Sequence, residues 1–422
     1  MKIKDVKEVL NLTVLVAGLG YFVDLFDITL FGVVRMSSLK DLGITDPAVL
    51  LSEGLRIYNA QMIGMMIGGI FWGILADKKG RLSVMFGSIM LYSLANIANA
   101  FVVNTDQYMI CRFLGGLGLA GELGAAITLV AESLPKEKRG IGTTIVAALG
   151  MLGIVAAAFV GQIVPWKTAY IIGGVMGLAL LVTRFKMFES SMFEKSHSSQ
   201  RGNMLLLLQP KRLLKYIGCI LAGVPVYFST GILFTFAPEL TAGLGVVGTV
   251  TAGSAILWGS IGLTIGDVLS GLLSQTLRSR RKAVGICLVF ALAVMLVYTR
   301  TEGATAEFIY VLCFLIGMGV GYWAVLVTMA AEQFGTNIRG TVATTVPNFV
   351  RGSAVFAVMG FAHLKTTMSI PDAALTVGLI CFGLALISLY FMDETFGKDL
   401  NFSETKTGTT HAHAHATVAS KT

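Results

Sequence analysis

The 422-residue chain is 55% apolar and 13% charged, with a mean hydropathy of +0.77, a balance that excludes a soluble globular protein. The net charge of +8 invites a nucleic-acid partner, but its distribution excludes one. With the N-terminus inside, 24 of the 32 Lys/Arg fall in connections on the inner side of a bilayer, 6 outside and 2 within apolar runs. That is the positive-inside bias of a membrane protein.

Twelve apolar runs are each long enough to span a bilayer, which takes about 20 residues. They lie near residues 12–35, 55–77, 83–103, 107–132, 141–163, 168–187, 215–240, 252–276, 283–300, 306–333, 340–364 and 372–393. The expected fold is an all-α polytopic membrane protein with twelve transmembrane helices, since helices satisfy their own backbone groups in lipid. Basic residues cluster in alternate connections, so both termini are expected in the cytoplasm, with the chain multi-pass in the cell (inner) membrane. The five cysteines all fall inside runs without CxxC spacing and read as small core residues, not disulfides or metal ligands. The first run is of helix length and carries Asp24 and Asp27 in its middle, unlike a cleavable signal peptide.

Ionisable residues at membrane depth are costly and are paired, water-facing or functional. In run one, Asp24 and Asp27 are one turn apart and share a helix face. Run two ends in a charged turn, Gly73-Ile-Leu-Ala-Asp77-Lys-Lys-Gly80-Arg81. Run four opens with Arg112 among glycines and holds Glu122 ten residues deeper; Arg112 either relays charge to Asp27 or snorkels to the headgroups. Run seven contains Pro225, expected to kink the helix, followed by Tyr227 and Phe228 as cavity-lining or core aromatics. Run eight carries Asp267, either a second titratable site or a partner for a buried arginine. Run ten holds Tyr322 and Trp323, and run eleven holds Pro347-Asn348-Phe-Val-Arg351 with Arg351 near the midplane. An arginine fork matches a carboxylate with two hydrogen bonds. Arg351 is accordingly read as a substrate-carboxylate ligand, a structural partner of Asp267, or a water-facing pore charge, with Asn348, Tyr227 and Trp323 beside it. The polar tail contains His411-Ala-His413-Ala-His415, which is expected to be disordered and not a metal site.

The longest polar interruption, 189–214, divides the chain into an N-terminal half (1–188) and a C-terminal half (215–393), with a tail at 394–422. The halves repeat. Glu132 to Arg139 and Glu332 to Arg339 share one spacing at a shift of 200 residues, each followed by Gly and then a Thr-Thr pair. The turn at Gly73–Arg81 has a partner at Gly271–Lys282, where Gln275 stands in place of Asp77. The order Gly-x-x-x-Asp-Lys-x-Gly-Arg resembles the signature loop of the major facilitator superfamily, and the Glu-x6-Arg-Gly turns resemble its sugar-porter and metabolite:proton-symporter branch.

The resemblance implies two six-helix halves that rock about a midplane site. It also implies a cytoplasmic gate built from Gly73, Asp77, Gly80, Arg81, Glu132 and Arg139, with a weaker counterpart of Arg280, Glu332 and Arg339 because Gln275 supplies no anion. Phe26-Asp27-x-x-x-x-Gly32 is similar to the helix-one motif of proton symporters, and the Gly121-Glu122 pair to one in metabolite symporters. Asp27, Glu122, Asp24 and Arg112 are therefore the proton-coupling candidates, with a fixed structural hydrogen-bond acceptor as the other reading of Asp27. The resemblance and the residues together lead to proton-coupled uptake of a small carboxylate-bearing metabolite, an organic acid or amino acid, by a protein needing no cofactor and able to act as a monomer. A symporter of neutral sugars, polyols or nucleosides is the alternative, and a non-transporting nutrient sensor a more distant one. An enzyme is not expected, for no nucleophile-base or metal-ligand cluster appears.

Overall fold

The computed structural model describes residues 11–79, 81–122, 130, 134, 139–184, 207, 209–397, 402–405 and 408–411. The first half comprises α1 (Leu12–Asp41), α2 (Pro47–Lys79), α3 (Arg81–Asn99), α4 (Thr105–Leu119), α5 (Arg139–Ile163) and α6 (Trp166–Arg184). In the second half, α7 (Pro210–Phe228) continues into a π turn (Ser229–Phe234) and a short α8 (Ala237–Gly243). Then follow α9 (Ala252–Leu277), α10 (Arg280–Arg300), α11 (Ala306–Val320), α12 (Trp323–Glu332), α13 (Thr336–Leu364) and α14 (Ile370–Phe391). Counting α7 with its π turn and α8, and α11 with α12, as single crossings gives the twelve expected spans. Among the described residues, nine helices are long and apolar enough to cross a membrane by themselves.

Helix starts are set locally by side chains that accept the backbone N–H groups a first turn leaves unsatisfied. Asn11 accepts from Val14, Thr251 from Ser254, Ser279 from Lys282 and Ser369 from Asp372. Two spans are broken where the sequence reads as one apolar run. In the seventh, Pro225 lies inside α7 and the π turn follows within the same crossing. In the tenth, the helix stops at Gly321–Tyr322 and restarts at Trp323.

The repeat shows in packing as well as in sequence. A Cβ on Gly64 would lie 2.2 Å from the Phe113 carbonyl oxygen, and one on Gly68 2.4 Å from that of Leu117, so α2 and α4 cross backbone to backbone. At the equivalent positions of the second half, Gly262 meets the Phe314 carbonyl at 2.0 Å and Gly266 that of Met318 at 2.1 Å, joining α9 to α11. Small residues at such crossings let membrane helices associate through close contact. Gly262→Leu is therefore expected to force these helices apart, destabilising the protein by about 1–3 kcal/mol or more. Thermal unfolding in detergent would register this as a clearly lowered midpoint, whereas the same change at Gly271, whose Cβ position is open, would leave it nearly unchanged.

The tail departs from the expected disorder at one place. Phe402–Thr405 pairs antiparallel with Gly408–His411, a short hairpin in a stretch rich in β-favouring threonine. His413 and His415 lie outside the described residues, and among those described no group of His, Cys, Asp and Glu is arranged to hold a metal ion.

Candidate functional site

A cavity of about 100 Å³ lies between the two halves. The first half contributes Tyr21, Leu25, Ile28, Thr29 and Gly32 of α1, Tyr58 of α2, and Met151 and Ile154 of α5. The second contributes Val226, Tyr227, Thr230, Phe234 and Thr235 around the π turn, Ile256, Ser260 and Leu263 of α9, and Trp323 of α12. The wall is thus aromatic and aliphatic, with hydroxyls as its polar groups and no carboxamide side chain. Tyr227 and Trp323 meet edge to face with ring centroids 5.7 Å apart. The sequence points to both of these as substrate neighbours; it gives no such signal for Tyr21, Tyr58 or Thr235.

Arg351 of α13 stands immediately behind this wall, fully buried, its Nε donating to the Tyr227 hydroxyl at 2.9 Å. Its Nη2 lies 3.6 Å from Asp24 Oδ2, an ion pair across the two halves. Among the described residues, apart from this ion pair, neither Nη1 nor Nη2 has a hydrogen-bond partner, and neither oxygen of Asp24 has one. This fork is therefore held on one side and unsatisfied on the other, in an environment where unmade hydrogen bonds to charged groups are costly. The acidic partner of Arg351 is Asp24, not Asp267.

Asp267 instead accepts the backbone N–H of Ala324 at 2.8 Å and caps the restarted helix α12 at the break of the tenth span. Asn348 is buried and donates from Nδ2 to the Ala120 carbonyl at 3.3 Å. It ties α13 to the end of α4 across the halves and does not line the cavity. Tyr322 is packed in the core, donating to the Ala222 carbonyl at 2.9 Å.

Asp27 faces into the first half. It is fully buried beside Gly173 of α6, where a Cβ would come within 2.5 Å of its Oδ1, and it lies within electrostatic reach of Arg112. Arg112 does not snorkel: it is completely buried, donates to Asn96 Oδ1 at 3.3 Å, and stacks 5.1 Å from the Tyr170 ring centre. Tyr170 and Tyr108 share a hydrogen bond of 2.7 Å, and Ser38 donates to Tyr108 at 3.2 Å, continuing the polar chain along α1. Glu122 is buried within electrostatic reach of Asp24.

One charge lies where the sequence does not place it. Arg35, the last residue of the first apolar run, is not singled out by the sequence, yet it is 0% exposed. It pairs with Glu239 at 2.7 and 2.9 Å, donates to the Thr235 carbonyl, and stacks 4.3 Å from the Phe236 ring centre. These contacts join α1 to α8 across the halves, at the end of the bundle opposite the basic turns.

At the basic end, Gly73 lies on α2 with open space around it. Gly80 and Glu132, and the side chains of Asp77, Arg81 and Arg139, lie outside the described residues. In the second half the corresponding charges are described. Arg280 pairs with Glu332 through Nε and Nη2, both at 3.2 Å. Arg339 donates to the carbonyls of Ala331 and Phe334, closing the α12–α13 turn. The anion absent at Gln275 is supplied by Glu394, from the segment after α14. Its carboxylate accepts from Ser279 Oγ and from the backbone N–H groups of Arg280, Arg281, Thr395 and Phe396.

Burial pushes the Glu394 carboxyl pKa up, but those hydrogen bonds outweigh it and hold the group below the ordinary glutamate value. A depressed folded-state pKa contributes stability that is present above the unfolded value and lost as pH falls through the folded one. The clasp is accordingly expected to weaken below about pH 4. Glu394→Gln should flatten the fall of the unfolding midpoint between about pH 5 and pH 3; identical acid profiles for both proteins would show that Glu394 forms no such clasp.

A family model described as Major Facilitator Superfamily matches residues 17–358. The chain belongs to the major facilitator superfamily. It is therefore a multi-pass membrane transporter, and its superfamily fold accounts for the paired halves and the cavity between them. The niacin transporter NiaP of Acinetobacter baylyi is 26% identical over 421 residues, covering 91% of this chain and 94% of its own. A 4-hydroxybenzoate transporter, PcaK of Pseudomonas aeruginosa, is 30% identical over 200 residues, covering 46% of this chain and 44% of its own. In fold, the inward-open xylose transporter XylE from E. coli matches with a TM-score of 0.72 at 17% identity, covering 92% of this chain and 97% of that one.

Proposed function

We propose that this major facilitator transporter takes up a small monocarboxylate bearing an aromatic or heteroaromatic ring, coupled to protons, by alternating access. The observation that carries the reading is Arg351: a buried fork with two terminal nitrogens lacking hydrogen bonds, set against Asp24 at 3.6 Å and next to an aromatic cavity. A substrate carboxylate completes the fork with two charge-assisted hydrogen bonds. Its ring packs against Tyr227, Trp323 and Tyr58, with the hydroxyls of Thr29, Thr230 and Ser260 available for ring substituents.

Size and polarity support the same class. The cavity of about 100 Å³ is smaller than the roughly 150 Å³ of an apolar cavity that holds one benzene ring, so a ring carboxylate requires the two halves to part slightly and a larger substrate is disfavoured. A wall without carboxamides is poorly suited to a polyhydroxylated sugar. The relatives named for niacin and 4-hydroxybenzoate transport are named for ring carboxylates.

Proton coupling follows from competition for Arg351. Ionised Asp24 holds the fork and repels a second carboxylate; protonated Asp24 releases it to the substrate. The proton and the substrate then enter together with the cavity charge unchanged. Asp27, with Arg112, is a second buried carboxylate–arginine pair in the first half, and Glu122 lies near enough to Asp24 to bias its proton. The basic turns support a reading in which both termini lie on the cytoplasmic side of the cell membrane. The Arg35–Glu239 pair then closes the outer mouth.

The test is uptake into proteoliposomes of labelled benzoate, 4-hydroxybenzoate, nicotinate, an amino acid, a hexose and a nucleoside, with and without an inward proton gradient. Ring carboxylates are expected to accumulate several-fold over equilibrium only with the gradient. Accumulation of the hexose or nucleoside alone would overturn the reading.

A further inference from the structure

Where α9 turns into α10, a groove of about 600 Å³ opens against the end of α14. Its walls carry Arg278, Arg281 and Lys282 on one side and Leu386 and Tyr390 on the other. From this groove we infer a binding site for the phosphate headgroup of an anionic phospholipid, a ligand independent of the transported substrate.

Three observations carry the inference. The first is uncompensated charge. Arg278 and Lys282 are exposed, and among the described residues neither forms an ion pair. Arg281 donates through Nη2 to the Tyr390 carbonyl at 2.6 Å, leaving its positive charge unneutralised. The one acidic group lining the groove, Glu394, is engaged by Ser279 and four backbone N–H groups and offsets only one of the three cationic charges there. The second is position. The groove lies at the ends of three membrane-spanning segments, and Tyr390 and Phe391 beside it are 74% and 76% exposed. Aromatic side chains at helix ends mark the level of the headgroups. A phosphate would be met there by the cations while its acyl chains ran along the apolar flank of α14.

The third observation is backbone conformation. Arg278 has φ 47° and ψ 39°, and among the described residues no other non-glycine has positive φ. That left-handed conformation favours glycine, and the corresponding turn of the first half does place glycine there, at Gly80. An arginine held where its backbone is strained is explained by a use for its side chain. Basic pockets between transmembrane helices on the cytoplasmic side are a recurrent means of holding anionic headgroups.

The strain makes the proposal separable from folding. Arg278→Gly relieves the backbone while removing a cation, so this variant is expected to fold at least as well as the parent. The experiment is native mass spectrometry of the full chain in detergent, titrated with phosphatidylglycerol or phosphatidylcholine, for the parent and for Arg278→Gly/Lys282→Gln. The parent is expected to retain at least one phosphatidylglycerol more than phosphatidylcholine at equal lipid. The double variant should lose that adduct, with its apparent affinity reduced on the order of tenfold or more, since each Lys/Arg near an anionic surface contributes roughly fivefold. Equal retention of the two lipids, or an unchanged phosphatidylglycerol adduct in the variant, would overturn the proposal. So would displacement of the adduct by millimolar inorganic phosphate, which would make this a site for free anions. Uptake of substrate is not the readout, so failure here leaves the proposed transport activity standing and failure of that activity leaves this site standing.

Discussion

Replacing Arg351 by glutamine is expected to lower the affinity for benzoate or nicotinate by roughly a hundredfold, equivalent to about 3 kcal/mol, within the range seen when one partner of a buried charge pair is truncated. The single change also leaves Asp24 buried opposite a neutral group, since Arg351 is its ion-pair partner. Uncompensated charge of this kind destabilises proteins by about 3–5 kcal/mol. The cleaner comparison therefore pairs Arg351→Gln with Asp24→Asn, leaving two neutral hydrogen-bonding groups at the interface. That double variant should regain the parent's thermal stability in detergent but not its affinity for carboxylates. Recovery of binding along with stability would make Arg351 a structural residue and remove the substrate assignment.

Arg35→Gln is expected to unlatch the opposite end of the bundle. The pair with Glu239, 204 residues away in sequence, joins the two halves, is protected from solvent on the arginine side, and is reinforced by the Thr235 carbonyl and the Phe236 ring. Losing about 3 kcal/mol from the closed arrangement shifts its equilibrium with the open one by roughly two orders of magnitude. The shift can be read with Ile256→Cys, which lines the cavity next to Gly32, in a background where the five native cysteines are serine. A membrane-impermeant thiol reagent, applied on the side away from the basic turns, should alkylate this position at least tenfold faster when Arg35 or Glu239 is neutralised. An unchanged rate in both variants would show that the mouth is held by other contacts.

Much of this arrangement is legible in the amino-acid sequence, and the parts that are not share physical causes. Asp24, Asp27, Arg112 and Arg351 stand out because charge in an apolar run is costly and therefore meaningful. Their partners do not stand out, because pairing is decided by how two halves face each other. Asp24 and Asp27 share a helix face by spacing, yet one meets Arg351 across the interface and the other looks toward Arg112 within its own half. Asp267 reads as a functional carboxylate only because the break at Gly321–Tyr322 carries no proline or charge to announce it. Arg35 is not singled out because it sits at the end of an apolar run, where hydropathy cannot separate a loop from a buried latch. Glu394 looks like part of a polar tail until the chain folds back and gives the second repeat the anion that Gln275 lacks. The π turn after Pro225, which brings Thr230, Phe234 and Thr235 to the cavity, has only the proline as its signal.

The competition of Asp24 and substrate for Arg351 is tested most directly by the affinity for a ring carboxylate as a function of pH, in the parent and in Asp24→Asn. If the two carboxylates compete, the parent binds more tightly as pH falls, because protonation frees the fork. Asp24→Asn should bind at least as tightly as the parent at its acidic limit, with little dependence on pH over the range in which the substrate stays ionised. A variant that keeps the parent's pH dependence would contradict this coupling and move the proton to another group, with Asp27 and Glu122 the next to be tested.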